Sequence, residues 1–423
     1  MSIFKTFKLK AGAIQFVIYI VVVIALLLSM FLLYIHLSKQ FVSKRNTQIE
    51  AIQLSNYGVN WSLDKDLAYK DTIYHEINKQ KSFKILKQHW GIFDVVHSFS
   101  SVRDKSFIKS CFVGGKTPFD ENLGLYLKDN NQALVVAGNT IIEADVYVGQ
   151  YGVKPGMISG IGYTNDKLVY GNVKRSQYLP KLLSNKKKYI REMLFKPFLN
   201  QEDYEYFDIQ IPPILEQSFL SNVQYHFSFN NIDLYQKNYN GKIIIQSAKR
   251  IYVDSSTELE NVILIAPEIE IDKNFKGTLQ AFASKNILIN ENAQLNYPSA
   301  LILMPKTNIS QDNQPQIKIK NLAIVKGCIA FLENSTPNSQ NIYSHIEIEE
   351  NAEVYGQIFC DFNTNLKGKL YGHVITNQFL TPYQSTLYMN HLLDAEITSN
   401  PVSKNYSGLL FQSNPKNIAL WID

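Results

Sequence analysis

Four acidic residues recur at one position of a nine-residue pattern and are the best candidates for catalytic chemistry in this sequence. They are Asp254, Asp272, Glu349 and Asp361. Stacked carboxylates of this kind can act as general acid and base on a polysaccharide, or can hold Ca²⁺. Asn290 interrupts the series and no basic residue recurs beside it. We therefore favour the alternative, in which these acids end strands and solubilise a corner.

Other catalytic and metal-binding patterns are missing from the sequence. No GxSxG, HExxH, Walker or GxGxxG motif occurs. The closest histidines, His89 and His97, have a spacing that does not suit a shared metal. The three cysteines, which we interpret as small buried hydrophobes, show no CxxC spacing; they are Cys111, Cys328 and Cys360. We predict no enzyme activity, no catalytic, cofactor-binding or metal-binding residues, and no cofactor.

The acidic residues belong to a repeat that predicts the fold. The segment Ile251–Leu259 returns at Ile269–Gly277 and, after the same interval, at Ile287–Leu295. Related segments begin at Ile346 and Ile358. Positions one and three are apolar, which is typical of a short strand with two inward side chains. Position six is Ser or Asn, and Asn tolerates the left-handed backbone of a corner.

Coils that repeat in this way stack into a parallel β-solenoid, or β-helix. We expect the third-position residues Val253, Ile271 and Ile289 to point inward and to stack in register. Four prolines lie between Ile289 and Ile346, and we expect loops to interrupt the stack there.

A further copy of the pattern lies upstream at Leu134–Ile142. It suggests that one solenoid begins in this region and is interrupted by an insertion near Gln177–Asn240. Helix-favouring runs such as Tyr189–Leu194 indicate that this insertion has an α/β character.

The N-terminal region is predicted to cross a membrane. Ala11–Leu37 is an uninterrupted stretch without a formal charge. As a helix this segment would be about 40 Å long, more than the ~30 Å hydrocarbon core of a bilayer. The apolar run continues through Phe31–Tyr34 without an A-x-A-like site, so we predict a retained helix in contact with lipid rather than a cleaved secretory signal.

A helical stem should follow the membrane segment. Apolar residues recur at spacings near three, four or seven, and Gly58 is expected to end or bend the stem. These apolar residues are Leu37, Phe41, Ile49, Ile52, Val59 and Leu63.

The predicted fold class is mainly β: an N-terminal transmembrane helix, then an interrupted parallel β-solenoid with a small α/β insertion. The predicted order is a short basic tail (1–10), the transmembrane helix (11–37), the helical stem (38–63), a β-rich cap (64–120), a first solenoid segment (121–176), the α/β insertion (177–240), the main β-solenoid (241–382) and a C-terminal segment (383–423).

The charges on either side of the membrane segment bear on its orientation. Basic side chains flank the membrane segment equally, at Lys5, Lys8 and Lys10 before it and at Lys39, Lys44 and Arg45 after it. The free amino terminus and the β-rich cargo favour a cytoplasmic N-terminus. We predict a single-pass protein of the bacterial inner (cytoplasmic) membrane with an extracytoplasmic C-terminal part.

The net charge of +5 is diffuse apart from Lys186–Lys188, so we predict no nucleic-acid partner.

The N-terminal stretch 1–63 resembles a type IV pilin-like or minor pseudopilin stem. The resemblance rests on Lys8-Leu9-Lys10-Ala11-Gly12-Ala13, on the apolar helix and on Tyr57-Gly58-Val59 at the end of the stem. It implies a subunit that is anchored in the inner membrane before it enters a thin filament, with the leader cut after Gly12 or Ala13. Val17 stands where most pilins have a Glu, and a plain anchor that keeps its leader is the alternative.

The main repeat region resembles the bactofilin-like, polymer-forming class of short-coil β-helices. The matching stretches are Val354–Cys360 and Leu366–Val374, with V-x-G and L-x-G steps. The resemblance implies assembly into a filament or scaffold.

The leading hypothesis is a membrane-anchored extracytoplasmic structural or assembly protein of the cell envelope, with envelope or filament proteins as partners. The alternative is a glycan- or surface-binding module, in which aromatic side chains such as Tyr355 and Tyr371 stack on sugars. A carbohydrate-active enzyme that uses the acidic residues is the third hypothesis.

Overall fold

The computed structural model describes residues 11–197, 203–210, 212–306, 314–333, 343–399, 406–412 and 414–422. This part of the chain is mainly β, with a long apolar helix at its start. Three parts of the predictions lie outside the described residues. They are the basic tail 1–10, Pro337, which is one of the four prolines between Ile289 and Ile346, and part of the C-terminal segment.

Helix α1 runs without a break over Ala11–Leu63. It is long and apolar enough to cross a membrane, and its apolar window is not buried by the rest of the protein. The prediction that Gly58 ends the stem is wrong, because the helix continues through it. Gly58 instead allows a close approach: a Cβ there would clash with Ser98 Oγ and would meet Ile85 Cδ1 at 3.1 Å.

Four strands follow the helix, and they lie side by side in one sheet in the order β1-β2-β3-β4. They are β1 (Thr72–Asn78), β2 (Lys81–Trp90), β3 (Phe93–Val102) and β4 (Lys105–Gly115). The first compact unit of the chain consists of residues up to Asn60, Thr72–Ile85 and Ser98–Lys109. The rest of the chain forms the second unit.

The second half of α1 packs within the first unit. Its buried residues recur at spacings of three and four, which places them on one face of the helix. They are Thr47, Ala51, Leu54, Ser55 and Val59. The helix continues through the regularly spaced apolar residues as predicted, but three of them stay exposed: Leu37, Phe41 and Ile49 are 54%, 71% and 45% exposed.

The second unit begins with short strands and a helix. These elements are β5 (Leu123–Leu127), β6 (Leu134–Ala137), β7 (Ile141–Glu143), β8 (Asp145–Val148), β9 (Val153–Pro155), β10 (Met157–Ile158), β11 (Ile161–Gly162), β12 (Val173–Arg175) and α2 (Ser184–Phe195). Seven strands come next: β13 (Tyr204–Tyr206), β14 (Ile214–Gln217), β15 (Val223–Ser228), β16 (Ile232–Leu234), β17 (Asn238–Gly241), β18 (Ile243–Ser247) and β19 (Arg250–Val253).

Longer strands complete the second unit. They are β20 (Glu258–Ile271), β21 (Lys276–Ile289), β22 (Gln294–Leu303), β23 (Gln316–Ile319), β24 (Ile324–Phe331), β25 (Ile346–Ile348), β26 (Glu353–Leu366), β27 (Lys369–Tyr383), β28 (Thr386–Met389), β29 (His391–Leu393), β30 (Glu396–Thr398) and β31 (Lys416–Ile422). Most of these strands form a closed, largely parallel barrel, and β31 pairs antiparallel with Ser110–Gly115 of β4.

The parallel pairing follows the regular repeat of the sequence. Val253 pairs with Ile271, and Ile271 pairs with Ile289. All three side chains are completely buried, in a core that fills the inside of the barrel. The inward orientation and the register that the repeat predicts for these three residues are therefore confirmed.

The predicted interruption after Ile289 is wrong. Ile287 pairs with Ile317 of β23, and Ile317 pairs with Ile346 of β25, so the parallel pairing continues across this interval. The interval is longer than the earlier repeats, yet the strand that it contains keeps its two inward isoleucines. Additional residues in the connections leave the register of the strands unchanged.

The order of the stack also differs from the order of the chain. Strand β5 pairs with Val374–Thr376 of β27, and β7 pairs with β30. The first predicted segment thus stacks beside the last strands, not before the insertion. Strands within 204–241 themselves join the parallel stack, so the region predicted as an insertion supplies part of it.

The turn between β2 and β3 is fixed to strand β21 of the barrel, within the second unit. Gln280 accepts a hydrogen bond from the Ile92 N–H at 2.9 Å and donates one to the Trp90 carbonyl at 3.2 Å. Gly91 lies between them with φ +60°, and a Cβ there would clash with the Gln280 amide. A second core forms around these residues and includes Ile190 and Met193 of α2. It fixes one side of α2 and leaves the other side to line a cleft.

Candidate functional site

The structure separates the four acidic residues that the sequence grouped. Asp254, Asp272 and Glu349 follow the inward-facing residues of β19, β20 and β25 at one corner of the barrel. Asp361 does not lie there, because Ile346–Ile348 pairs with Thr364–Leu366 and not with Ile358–Cys360. The nine-residue frame that began at Ile358 was wrong.

Lysines complete the corner series. Register places Lys320 and Lys367 at positions equivalent to Asp272 and Glu349. Beside them, Lys318 Nζ lies 2.9 Å from the Glu349 carboxylate. The Ser256 hydroxyl and N–H hold the pKa of Asp254 below its usual range. Alternating charges and local hydrogen bonds satisfy these carboxylates, so the corner has the features of a solvated strand end.

The two tyrosines proposed to stack on glycans instead stack on each other. Tyr355 and Tyr371 are in register on β26 and β27, with ring centroids 4.6 Å apart. Lys326 Nζ lies 5.8 Å from the Tyr355 ring centroid. Both side chains are only half-exposed. Their faces are largely occupied, which makes them a poor sugar platform.

Asp361 lines a cleft beside α2 with a volume of about 850 Å³. One wall is formed by Lys187, Lys188 and Arg191, and carboxyl groups come from Glu333 and Asp361. The lining also includes Lys128, Lys181, Tyr178, several carboxamides and the apolar side chains of Leu182, Leu332 and Phe359. A volume of this size is typical of small-molecule sites. Only the dense lysine run hinted at this cleft in the sequence, because its walls come from distant parts of the chain.

The carboxyl groups of the cleft are unusually basic. Burial raises the pKa of Asp361 to about 6, although a hydrogen bond from the Glu333 N–H at 2.7 Å and the charge of Lys187 oppose this rise. Burial likewise raises the pKa of Glu333. A carboxyl group in this range can exchange a proton near neutral pH.

A second cluster of charges surrounds Asp94 in the second unit. Lys186 Nζ lies 2.6 Å from Asp94 Oδ1, and Lys87 Nζ lies 3.2 Å from Oδ2. The Tyr69 hydroxyl donates to the same carboxylate, and His89 stacks between Tyr69 and Tyr189. Burial alone would raise the pKa of Asp94, but the two ammonium groups and His89 hold it well below its usual range. This cluster joins α2 to β2 and β3.

His89 and His97, whose spacing does not suit a shared metal, each have specific surroundings. Burial lowers the pKa of both, and His97 Nδ1 lies 2.7 Å from Ser110 Oγ. The three cysteines are free and buried, as predicted from their spacing. Among the described residues, no group of three or more His, Cys, Asp or Glu side chains is arranged to hold a metal ion.

The stem of α1 presents the remaining candidate surface, and it lies in the first unit. Ser100 Oγ donates to the Ala51 carbonyl at 2.7 Å, Lys109 Nζ donates to Asn56 Oδ1 at 2.5 Å, and Lys81 pairs with Glu50. One side of the stem is therefore tied to the strands. The apolar side chains of Leu37, Phe41 and Ile49 remain exposed on the same helix.

Comparison with known proteins identifies no family for this chain. No protein-family model matches it, and no curated protein does. Among solved structures, it is similar to the crystal structure of the competence-associated pilin ComZ from Thermus thermophilus, with 10% sequence identity over 89% of this chain and 97% of that chain. The TM-score is 0.26, which is too low to indicate a shared fold.

Proposed function

We propose that this protein is a pilin-like structural subunit of the bacterial cell envelope that presents a β-solenoid on the extracytoplasmic side of the inner membrane and has no catalytic role. The observation that carries the proposal is the continuity of α1. A single helix is an exposed apolar segment over its first half and a packed element of the first unit over its second half.

This continuity favours a pilin-like stem over a plain anchor. A plain anchor needs only a connection to its cargo, and a flexible linker would serve that purpose. Here Thr47, Ala51 and Leu54 bury one face of the helix, and Ser100 and Lys109 bond to it. The orientation of the apolar segment is thereby fixed to that of the first unit, as a subunit that packs by its stem requires.

The exposed apolar side chains of the stem support the same proposal. Phe41 and Ile49 lie beyond the predicted membrane segment and stay exposed while small residues pack on the strands. Exposed apolar side chains on one helix favour contact with another apolar surface. We propose that the stem of a neighbouring subunit covers them.

The parallel barrel supports a solenoid as the extracytoplasmic module. Its coils repeat through the registers Ile251 to Ile269 and Ile269 to Ile287, with inward side chains at each pairing. Left-handed Asn residues occupy the corners, at Asn274 and Asn292, each with φ near +60°. Asn is one of the few residues that adopt this backbone at low cost.

Cysteine cross-linking along the stem tests the proposal. The native cysteines are buried, so Phe41→Cys and Ile49→Cys would supply the accessible thiols. We expect oxidation of intact membranes to produce cross-linked multimers in both variants. Lys79→Cys, on an exposed turn of the same unit, is the matched control and should remain monomeric. Equal cross-linking in all three variants, or none in the stem variants, would count against stem packing.

Intact-mass measurement of the native protein tests the second part of the pilin interpretation. Cleavage after Gly12 would remove the leader 1–12 and lower the mass accordingly. A full-length mass would favour the plain anchor, in which Lys5, Lys8 and Lys10 hold the N-terminus at the membrane.

A further inference from the structure

We propose that the cleft beside α2 is a binding site for an acidic oligosaccharide, a property that goes beyond the structural function proposed above. The cleft is lined by Lys187, Lys188 and Arg191 from α2 and by the carboxyl groups of Glu333 and Asp361. Its ligand would carry carboxylate groups and several free hydroxyls.

Helical spacing brings the cationic wall together. Arg191 lies four residues after Lys187 and three after Lys188, so the three side chains share one face of α2. The preceding residue, Lys186, turns the other way and pairs with Asp94. The dense lysine run of the sequence is thus divided between a buried ion pair and a cleft wall.

The lining of the cleft contains further cations. Lys128 and Lys181 add two more cations to the lining. Within the part of the chain that the structure describes, Lys128, Lys181, Lys187 and Lys188 form no salt bridge at 4.0 Å or less. Several cations converging on one cleft attract an anion, and the attraction weakens with salt.

The remaining lining favours a sugar over other anions. Carboxamides of Asn130, Asn377 and Gln378 offer both donors and acceptors, which suit hydroxyl groups. Tyr178, whose side chain is 80% exposed, offers an apolar ring for the face of a sugar. The carboxyl groups of Glu333 and Asp361 can accept hydrogen bonds from sugar hydroxyls. A single-stranded nucleic acid would instead require a series of stacking rings.

Protonation of Asp361 should couple binding to pH. Lys187 from α2, Lys128 after β5 and Glu333 after β24 are the charged groups that act on it. When Asp361 gains a proton, near pH 6, the cleft loses a negative charge while a uronate ligand remains ionised. Affinity should therefore rise as the pH falls from 8 to 5.

The test uses the full chain in detergent and titrates it calorimetrically with a short oligogalacturonate. A malto-oligosaccharide of the same length is the neutral control ligand, and a single-stranded oligodeoxynucleotide is the competing anion. The double variant Lys187→Gln, Lys188→Gln should weaken binding of the oligogalacturonate about tenfold or more. The matched control, Lys273→Gln, Lys276→Gln, removes the same charge from exposed positions outside the cleft and should bind as the wild type does.

Asp361→Asn gives an independent measurement. This variant should bind more tightly than the wild type at pH 8, and its affinity should change less with pH, the remaining change coming from Glu333. The proposal is overturned if the acidic sugar does not bind at about 1 mM, if the neutral sugar binds equally well, if only the oligodeoxynucleotide binds, or if the cleft double variant matches its control.

Discussion

Replacing Lys186 by methionine should destabilise the second unit far more than the same change one residue later. Lys186 Nζ donates to Asp94 Oδ1 at 2.6 Å and to the Phe93 carbonyl at 2.8 Å, and its side chain has no exposed surface. Breaking a buried ion pair by removing one partner costs about 3–5 kcal/mol. Lys87 stays 3.2 Å from Asp94 Oδ2 and the Tyr69 hydroxyl remains bonded. We therefore expect the lower end of that range, about 3 kcal/mol.

The free energy of unfolding would be measured by urea denaturation of the detergent-solubilised protein, followed by tryptophan fluorescence. Lys187→Met, which faces the cleft, should change the free energy of unfolding by no more than about 0.5 kcal/mol. The pair Lys186→Met and Asp94→Asn should be less than additive, because both remove the same interaction. Equal destabilisation by Lys186→Met and Lys187→Met would refute the reasoning.

The same variant changes the response to acid. In the wild type, the depressed pKa of Asp94 stabilises the fold above about pH 4, the value in the unfolded chain. That stability is lost as the pH falls through the lower folded value. Without Lys186 the folded pKa of Asp94 rises, so the acid unfolding midpoint of Lys186→Met should move to a higher pH.

Three further predictions concern the core, the stem and acid stability. Ile271→Asp should prevent folding of the barrel, because an unpaired buried carboxylate costs several kcal/mol. The measurement is the cooperative thermal transition, which this variant should lose. The control Glu270→Gln changes the neighbouring outward-facing side chain and should keep the transition. Gly58→Val should destabilise the first unit by about 1–3 kcal/mol through overpacking against Phe83 and Ser98, measured as a fall in the thermal midpoint, and a stable variant would contradict the close approach. Burial lowers the pKa of His373 to about 3, so stability should fall as the pH drops from 6.5 towards 3, and His373→Gln should reduce this slope; an unchanged slope would exclude His373 as its source.

The register of the barrel could be predicted from the sequence only where the coils have one length. Ile251, Ile269 and Ile287 are evenly spaced, and the structure pairs them as the repeat predicts. A two-residue side-chain period fixes which residues face inward, since a shift by one would expose every isoleucine. The prediction is confirmed here because the even spacing of the repeats and the burial of the isoleucines indicate the same register.

The nine-residue frame gave the wrong register where the number of residues per repeat changes. The next strand of the stack, Gln316–Ile319, lies much further along the chain from its partner Asn286–Ile289 than the earlier repeats predict. The earlier spacing returns where Ile346 pairs with Thr364, and the next repeat is shorter, with Val354 paired to Leu370. The pattern Ile358-Phe359-Cys360-Asp361 matches the repeat, but the register places Thr364–Leu366, not Ile358–Cys360, beside Ile346–Ile348. Nothing in the local sequence distinguishes such a copy from a true one, so Asp361 was assigned to the wrong group.

The cleft could not be found from sequence because its walls meet only through the order of the stack. Lys128 follows a strand that pairs with β27, whereas Lys187 lies on the helix that connects β12 to β13. A long-range pairing between residues 125–127 and 374–376 is needed to bring Lys128 near Asp361. Local patterns give strands and helices, but they do not give non-local strand order.

The ends of the proposed solenoid favour assembly through the stem over polymerisation through the coils. End-to-end growth of a β-helix requires a long, flat strand edge that a second molecule can extend. Here β27 is covered by β5, and the pairing continues from β8 only to the short strand Val173–Arg175. At the other extreme, the pairing begins with the equally short strand Tyr204–Tyr206. Short strands with the charged Lys174 and Glu205 make poor templates for further pairing, whereas the stem leaves large apolar side chains exposed. If filaments nevertheless form from a chain that lacks residues 1–63, growth through the coils would be the correct interpretation and stem packing would be wrong.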